Sequence, residues 1–132
     1  MKKVTGIGGV FFRCSDPEMM REWYKKNLGI PADQYGGVFR WRPKDNPERM
    51  GYTVWSPFDE DTDYFDPSES QFMINFLVDD LDGMLKQLKA AGAKIVGEVQ
   101  EFEYGRFGWV LDPDGNKIEL WEPSDDDKEL FT

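Results

Sequence analysis

The sequence predicts an α+β fold made of two repeated modules that face each other across a cleft with pseudo-twofold symmetry. Two observations predict it. The chain carries two amphipathic helical segments, each opened by an aspartate and closed by a glycine. Its landmarks also repeat at nearly constant spacing: Asp16 and Asp80 are 80 − 16 = 64 apart, Phe12 and Phe76 are 76 − 12 = 64 apart, and Gly29 and Gly92 are 92 − 29 = 63 apart. The spacing is close to half of the 132 residues. That length suits one domain, since domains usually hold about 100–200 residues.

The first element is a strand over Val4–Arg13, short, apolar and rich in glycine. Ser15-Asp16-Pro17-Glu18 then starts a helix with a capping oxygen, a proline in the first turn and an acid near the N-terminal dipole. Met19, Met20, Trp23, Tyr24 and Leu28 recur at three and four residues and form its apolar face. Gly29 stops it, and Pro31 follows. Gly37–Arg42 and Tyr52–Phe58 read as strands around a polar turn, Pro43–Arg49. Asp59–Gln71 holds six acids and Pro67, and reads as a solvated surface loop. Its opening imitates a calcium loop, but Tyr64 stands where glycine is needed and Ser70 where a bidentate glutamate is needed.

Phe72–Val78 is the strand that opens the second module. Asp80 caps the second helix, whose apolar face is Leu81, Met84, Leu85 and Leu88. Ile95–Val99, Arg106–Leu111 and Lys117–Trp121 read as strands, the last two joined by the tight turn Asp112-Pro113-Asp114-Gly115. Module one is placed at about 1–66 and module two at about 67–123, in one domain over 1–123 with an acidic tail at 124–132.

Composition narrows the chemistry. There are 16 basic and 26 acidic residues, a net charge of −10, which disfavours nucleic acid and anionic membrane surfaces as partners. There is no histidine, so no histidine base, histidine-activated nucleophile or histidine metal ligand. The one cysteine, Cys14, forms no internal disulfide and reads as a small buried filler. The stretch after Met1-Lys2-Lys3 is too short and too glycine-rich for a signal peptide, and no apolar run spans a membrane. A soluble, cytoplasmic protein is expected.

Three segments, Asp16 to Gly29 (DPEMMREWYKKNLG), Phe76 to Gly92 (FLVDDLDGMLKQLKAAG) and Asp112 to Glu122 (DPDGNKIELWE), resemble the vicinal oxygen chelate superfamily. That superfamily holds glyoxalase I, bleomycin-resistance proteins and extradiol dioxygenases. Trp55-Ser56-Pro57-Phe58 and Tyr104-Gly105-Arg106-Phe107 look like its generic glyoxalase-like bacterial members. The resemblance implies two βαβββ modules, with room for a shortened second strand in module one, and a homodimer. It also implies a divalent metal held from facing strands. Seven residues before each cap, where histidines would stand, are Gly9 and Met73. The glutamate of the last strand is kept as Glu119. The remaining position falls at Trp55 by the repeat offset, or at Thr53 two residues away on the same face. With three of four ligands gone, no resident metal is expected. A lone carboxylate holds a divalent ion weakly, and only with waters and substrate oxygens completing the shell.

Strand alternation from these positions gives an apolar, aromatic lining: Phe11, Arg13, Thr53, Trp55, Met73, Asn75, Glu119 and Trp121, with Tyr104 and Arg106 as a lip. The tryptophans and Met73 read equally as core; Arg13 reads as a rim charge or an anion contact. Glu119 is the candidate catalytic residue, either as a general base or as the structural partner of an arginine. Three functions remain. One is a metal-independent binder of a small, partly aromatic or apolar molecule. Another is a lyase or isomerase of the lactoylglutathione lyase type using Glu119 as base. The third is a structural role, which expects the cleft to be filled by the protein's own side chains.

Overall fold

The computed structural model describes residues 1–124. The acidic residues 125–132, most of the expected tail, lie outside the described residues. The elements run β1 (Val4–Cys14), α1 (Pro17–Leu28), β2 (Gly37–Trp41), β3 (Gly51–Asp59), β4 (Phe72–Val78), α2 (Leu81–Ala90), β5 (Lys94–Phe102), β6 (Gly105–Leu111) and β7 (Lys117–Pro123). They form one open seven-stranded sheet in the order β2-β3-β1-β4-β7-β6-β5.

The repeat governs this order. Each module pairs its first strand in parallel with its last, β1 with β3 and β4 with β7. The two first strands meet antiparallel at the centre. Both helices start as their caps require. Asp16 accepts from the Met19 amide at 3.1 Å, and Asp80 accepts from the Gly83 amide at 3.0 Å. Gly29 ends α1 in the left-handed region, at φ 68°.

The modules are unequal. Module two has the full β-α-β-β-β order. In module one, the strand that would match β5 is reduced to a single bridge between Asp33 and Gly36. This leaves α1 short of sheet to cover. No α1 residue is buried, whereas Leu81 and Met84 of α2 are buried against Val78, Val110 and Leu120. The side chain that anchors α1 is Tyr24, packed 4.6 Å from the Trp55 ring and 6.2 Å from Phe12.

The two faces of the sheet therefore carry different cores. The helix face buries the α2 cluster and half-buries the Phe12–Tyr24–Trp55 group. The opposite face buries Phe11, Tyr52, Met73, Leu77, Phe107, Trp109 and Trp121. That face is covered by the segment between β3 and β4, here called the strap. The strap is no purely solvated loop. Its Phe65 is fully buried in the aromatic core beside Phe58.

Register corrects one expectation. Asn75 stands opposite Glu119, and its repeat equivalent Phe11 (75 − 64 = 11) stands opposite Ser56. The last strands are thus offset by 119 − 56 = 63 residues, one fewer than the caps. A one-residue slip exchanges the faces of a strand. Thr53 and Trp55 therefore do not share the face of Glu119, and Tyr52 and Phe58 take that face instead. Thr53 donates to the Ile7 carbonyl at 2.6 Å and accepts from the Trp41 indole at 2.8 Å.

Replacing Trp55 with alanine tests this placement. We expect a loss of about 2 kcal/mol in unfolding free energy, as for a large, partly buried ring. Hydrogen exchange should show the loss of protection concentrated in α1. Loss concentrated in the strap and β7 would place Trp55 on the other face.

Candidate functional site

The centre of the strap face is a carboxylate. Glu119 sits mid-strand on β7, between β4 and β6, and is 2% exposed. Alternation along β7 sends Lys117, Glu119 and Trp121 to this face and Ile118 and Leu120 toward α2. A charge buried this deeply needs donors. Glu119 has three, each from a different element. Asn75 Nδ2 on β4 donates at 2.6 Å, Trp109 Nε1 on β6 donates at 3.0 Å, and the Tyr64 hydroxyl of the strap donates to Oε1.

Burial raises the proton affinity of Glu119 above the ordinary carboxylate range, against the opposing pull of these three hydrogen bonds and of Lys117. Burial also pushes the Tyr64 hydroxyl upward, and the neighbouring Glu119 charge adds to the shift, so Tyr64 stays a neutral donor. The Lys117 ammonium is pulled down by burial. It donates to the Tyr64 carbonyl at 2.8 Å and lies 5.5 Å from the Tyr64 ring and 5.4 Å from the Trp109 ring.

The strap is pinned by a second charged group. The Arg13 guanidinium donates to the carbonyls of Ser70, Glu60, Thr62 and Ser68 at 2.9–3.3 Å. It also stacks 4.9 Å from the Phe65 ring. Arg13 is thus a buckle for the strap, with the Asp66 carboxylate of the strap a further 4.0 Å contact. Ser70 and Asn116 are hydrogen-bonded at the strap's far end.

The sequence-derived residues divide clearly. Phe11, Met73, Asn75, Glu119 and Trp121 come together on the strap face. Arg13 reaches its edge. Tyr104 lies at the end of an aromatic row in which Trp121 stacks on Phe107 at 5.7 Å and Phe107 meets Tyr104 edge-on at 5.7 Å. Arg106 does not join them. It alternates with Phe107 onto the helix face and pairs with Asp82 at 2.9 Å and Glu122 at 3.7 Å. It lines a separate surface cavity of about 430 Å³ with Arg49, Asp79, Glu101 and Phe102.

Sequence reasoning missed Tyr64, Phe65 and Trp109 as parts of one centre, whereas alternation along the last strand already puts Lys117 on the face of Glu119. The available signal was the pair Tyr64-Phe65 inside an acidic run, where a solvated loop has no use for two adjacent rings. A further feature is Asn75 Oδ1, which is buried and has no hydrogen-bond partner among the described residues. A Cβ at Gly8 would collide with it, so the glycine makes room for the amide.

The residues at the metal positions do not fit a divalent ion. Gly9 has no donor, Met73 is a thioether, Ser56 is the true counterpart on β3, and Glu119 is surrounded by hydrogen-bond donors with an ammonium nearby. Among the described residues, no group of three or more His, Cys, Asp or Glu side chains is placed to hold a metal. No described helix is long and apolar enough to cross a membrane.

Comparison with known proteins agrees with this architecture. A family profile described as "Glyoxalase-like domain" matches residues 9–121. Methylmalonyl-CoA epimerase from Streptomyces coelicolor, solved with 2-nitronate-propionyl-CoA, superposes with a TM-score of 0.70 at 15% identity, over 96% of this chain and 100% of that one. Methylmalonyl-CoA epimerase from Mycobacterium tuberculosis gives 0.60 at 23% identity, over 92% and 89%. A glyoxalase/bleomycin resistance protein/dioxygenase superfamily member from Vibrio splendidus 12B01 gives 0.55 at 14% identity, over 92% and 99%. At these identities the likeness is one of fold. No curated protein matches the sequence.

The raised proton affinity of Glu119 has a definite consequence for stability. Between the unfolded glutamate pKa, about 4.3, and the higher folded value, the folded chain keeps a proton that the unfolded chain has lost. The contribution is full below the unfolded pKa and is lost as pH rises through the folded one. Unfolding free energy of the wild type, measured against Glu119→Gln, should therefore fall with rising pH by on the order of 1.4 kcal/mol per pH unit inside that window. A difference that stays flat, or grows with pH, would contradict the assignment.

Proposed function

Because this chain belongs to the glyoxalase-like domain family, we propose that it binds a small, flat, largely apolar molecule on the strap face, without a resident metal. Glu119 is the polar contact at the centre. One observation carries the reading: a carboxylate is kept deep in an aromatic core where an apolar residue of similar volume would cost less. The surrounding rings, Trp109, Trp121, Phe107 and Tyr52, offer the flat apolar walls usual in small-molecule sites.

The face is closed by the strap, so binding requires Phe65 to leave its place. Filling by own side chains is what a structural role expects. The binding reading is favoured over that role because the strap, through Tyr64, meets a polar centre at Glu119 rather than a purely apolar one. The surrounding fold makes the same point. Thr53, Trp55 and Arg106 belong to the helix face or its ion pairs and are left out of the site. Phe11, Met73, Asn75, Trp121 and the edge residue Tyr104 stay within it.

A second reading has its own observation. Burial raises the proton affinity of Glu119, which is what a general base acting on a carbon beside a carbonyl needs. On that reading Glu119→Gln abolishes turnover of the substrate while leaving its binding in place. We also propose a homodimer. Met19, Trp23 and Leu28 leave apolar surface exposed on α1, and sedimentation of the purified chain reads the state directly.

The binding reading is tested by melting-temperature shifts over a panel of small aromatic molecules, with wild type and Phe65→Ala in parallel. A ligand that prefers the native state must stabilise it, by about 2.7 kcal/mol at a hundredfold excess over Kd. We expect at least one compound to raise the melting temperature, and more in Phe65→Ala, where the chamber is already vacated. No shift in either protein across the panel would sink the reading.

A further inference from the structure

The contact between the strap and Glu119 is chemically specific. The strap does not simply lay an apolar ring over the sheet. It brings a phenol, and the phenol hydroxyl donates to the carboxylate. The same ring stacks on Phe58 with centroids 5.6 Å apart and planes 7° from parallel. It meets Trp109 edge-on at 6.4 Å. A hydroxyl donor at one end and ring faces at the sides are the contacts a bound molecule would make.

Exposure places Tyr64 at the entrance. Glu119 is 2% exposed and Tyr64 36% exposed, so the Tyr64 ring stands between the carboxylate and solvent. Lifting it uncovers Glu119 and the Trp109 indole together. What is uncovered is a carboxylate that has lost one donor. The bond from the Tyr64 hydroxyl serves a desolvated carboxyl oxygen. Leaving that acceptor unpaired is costly.

We propose that Tyr64 is an internal stand-in for the ligand, and that the molecule bound on this face is a hydroxylated aromatic whose phenolic hydroxyl replaces that of Tyr64 on Glu119. This rests on the reading of the strap face as a small-molecule site, and adds the chemical class. Binding is then a competition between two phenols for one carboxylate. The external one succeeds when its concentration outweighs the advantage Tyr64 has from being tethered.

The test uses the full chain and two probes of nearly equal shape. 4-Methylphenol copies the tyrosine side chain, and toluene copies it without the hydroxyl. Affinities are measured by calorimetry or ligand-observed NMR for wild type, Tyr64→Ala and Tyr64→Phe. In Tyr64→Ala we expect 4-methylphenol to bind at least about tenfold more tightly than toluene, because a site built to pair a hydroxyl discriminates against the analogue lacking it. We also expect it to bind at least about tenfold more tightly to Tyr64→Ala than to wild type, since the internal competitor is gone.

Equal binding of the two probes would overturn the inference and leave the aromatic-binding reading standing. Binding of neither probe by a folded variant would overturn both. Should Tyr64→Ala not fold, Tyr64→Phe decides. It keeps the ring but not the bond to Glu119, so 4-methylphenol should bind it more tightly than wild type and in preference to toluene. An unchanged affinity with no such preference would overturn the proposal.

Discussion

A single buried carboxylate organises the centre of this protein. Ionised groups are rarely tolerated in an apolar core unless hydrogen-bond donors surround them. Glu119 meets that requirement with an amide from β4, an indole from β6 and a phenol from the strap. Satisfying one charge thereby ties two neighbouring strands to β7 and fastens the covering segment to the sheet. The aromatic packing follows the same logic. Trp109 has to present its N–H to the carboxylate, which turns its ring toward Tyr64 and Lys117. Asn75 has to present its amide N–H, which leaves its carbonyl oxygen buried beside Gly8 with no donor among the described residues. The cost of that orphaned oxygen, about 1–3 kcal/mol, is accepted so that the carboxylate is served.

Much of the architecture was legible because it rests on local signals. Both caps, both glycine stops and the β6–β7 turn are written in adjacent residues, and each acts over a few ångströms. Their repetition implied two modules related by a pseudo-twofold axis. Half of the site was legible for the same reason. Asn75 and Glu119 share a face by alternation from opposite sides of one parallel pair. The other half was not. The place of Trp55 depended on carrying a 64-residue offset through to the last strand, where the true offset is 63. One residue is a small error in a helix and a complete inversion in a strand.

The strap was illegible for a different reason. Its composition is that of a solvated loop, and most of its residues are indeed exposed. What folds it inward are two long-range contacts, Arg13 to its carbonyls and Glu119 to Tyr64, from residues about fifty positions away. Arg13 illustrates how a charge can mislead. In the sequence it reads as a rim group or an anion contact. In the fold it meets a set of backbone carbonyls that a loop without regular structure cannot pair internally.

The strap spans residues 60–71, twelve in all, and both its ends are continuous with strands. Those strands, β3 and β4, are separated only by β1, so the ends stand about 10 Å apart. A segment tethered in this way arches rather than swings free. Unconstrained loops of comparable length close in on the order of 10–100 ns. Resealing at anything near that pace would outrun most encounters with a dilute molecule. Capture would then depend on the fraction of time the arch is raised, not on how quickly it rises. Tightening or loosening its pins would rescale the association rate in proportion to that fraction, and leave the departure of a bound molecule to the contacts beneath.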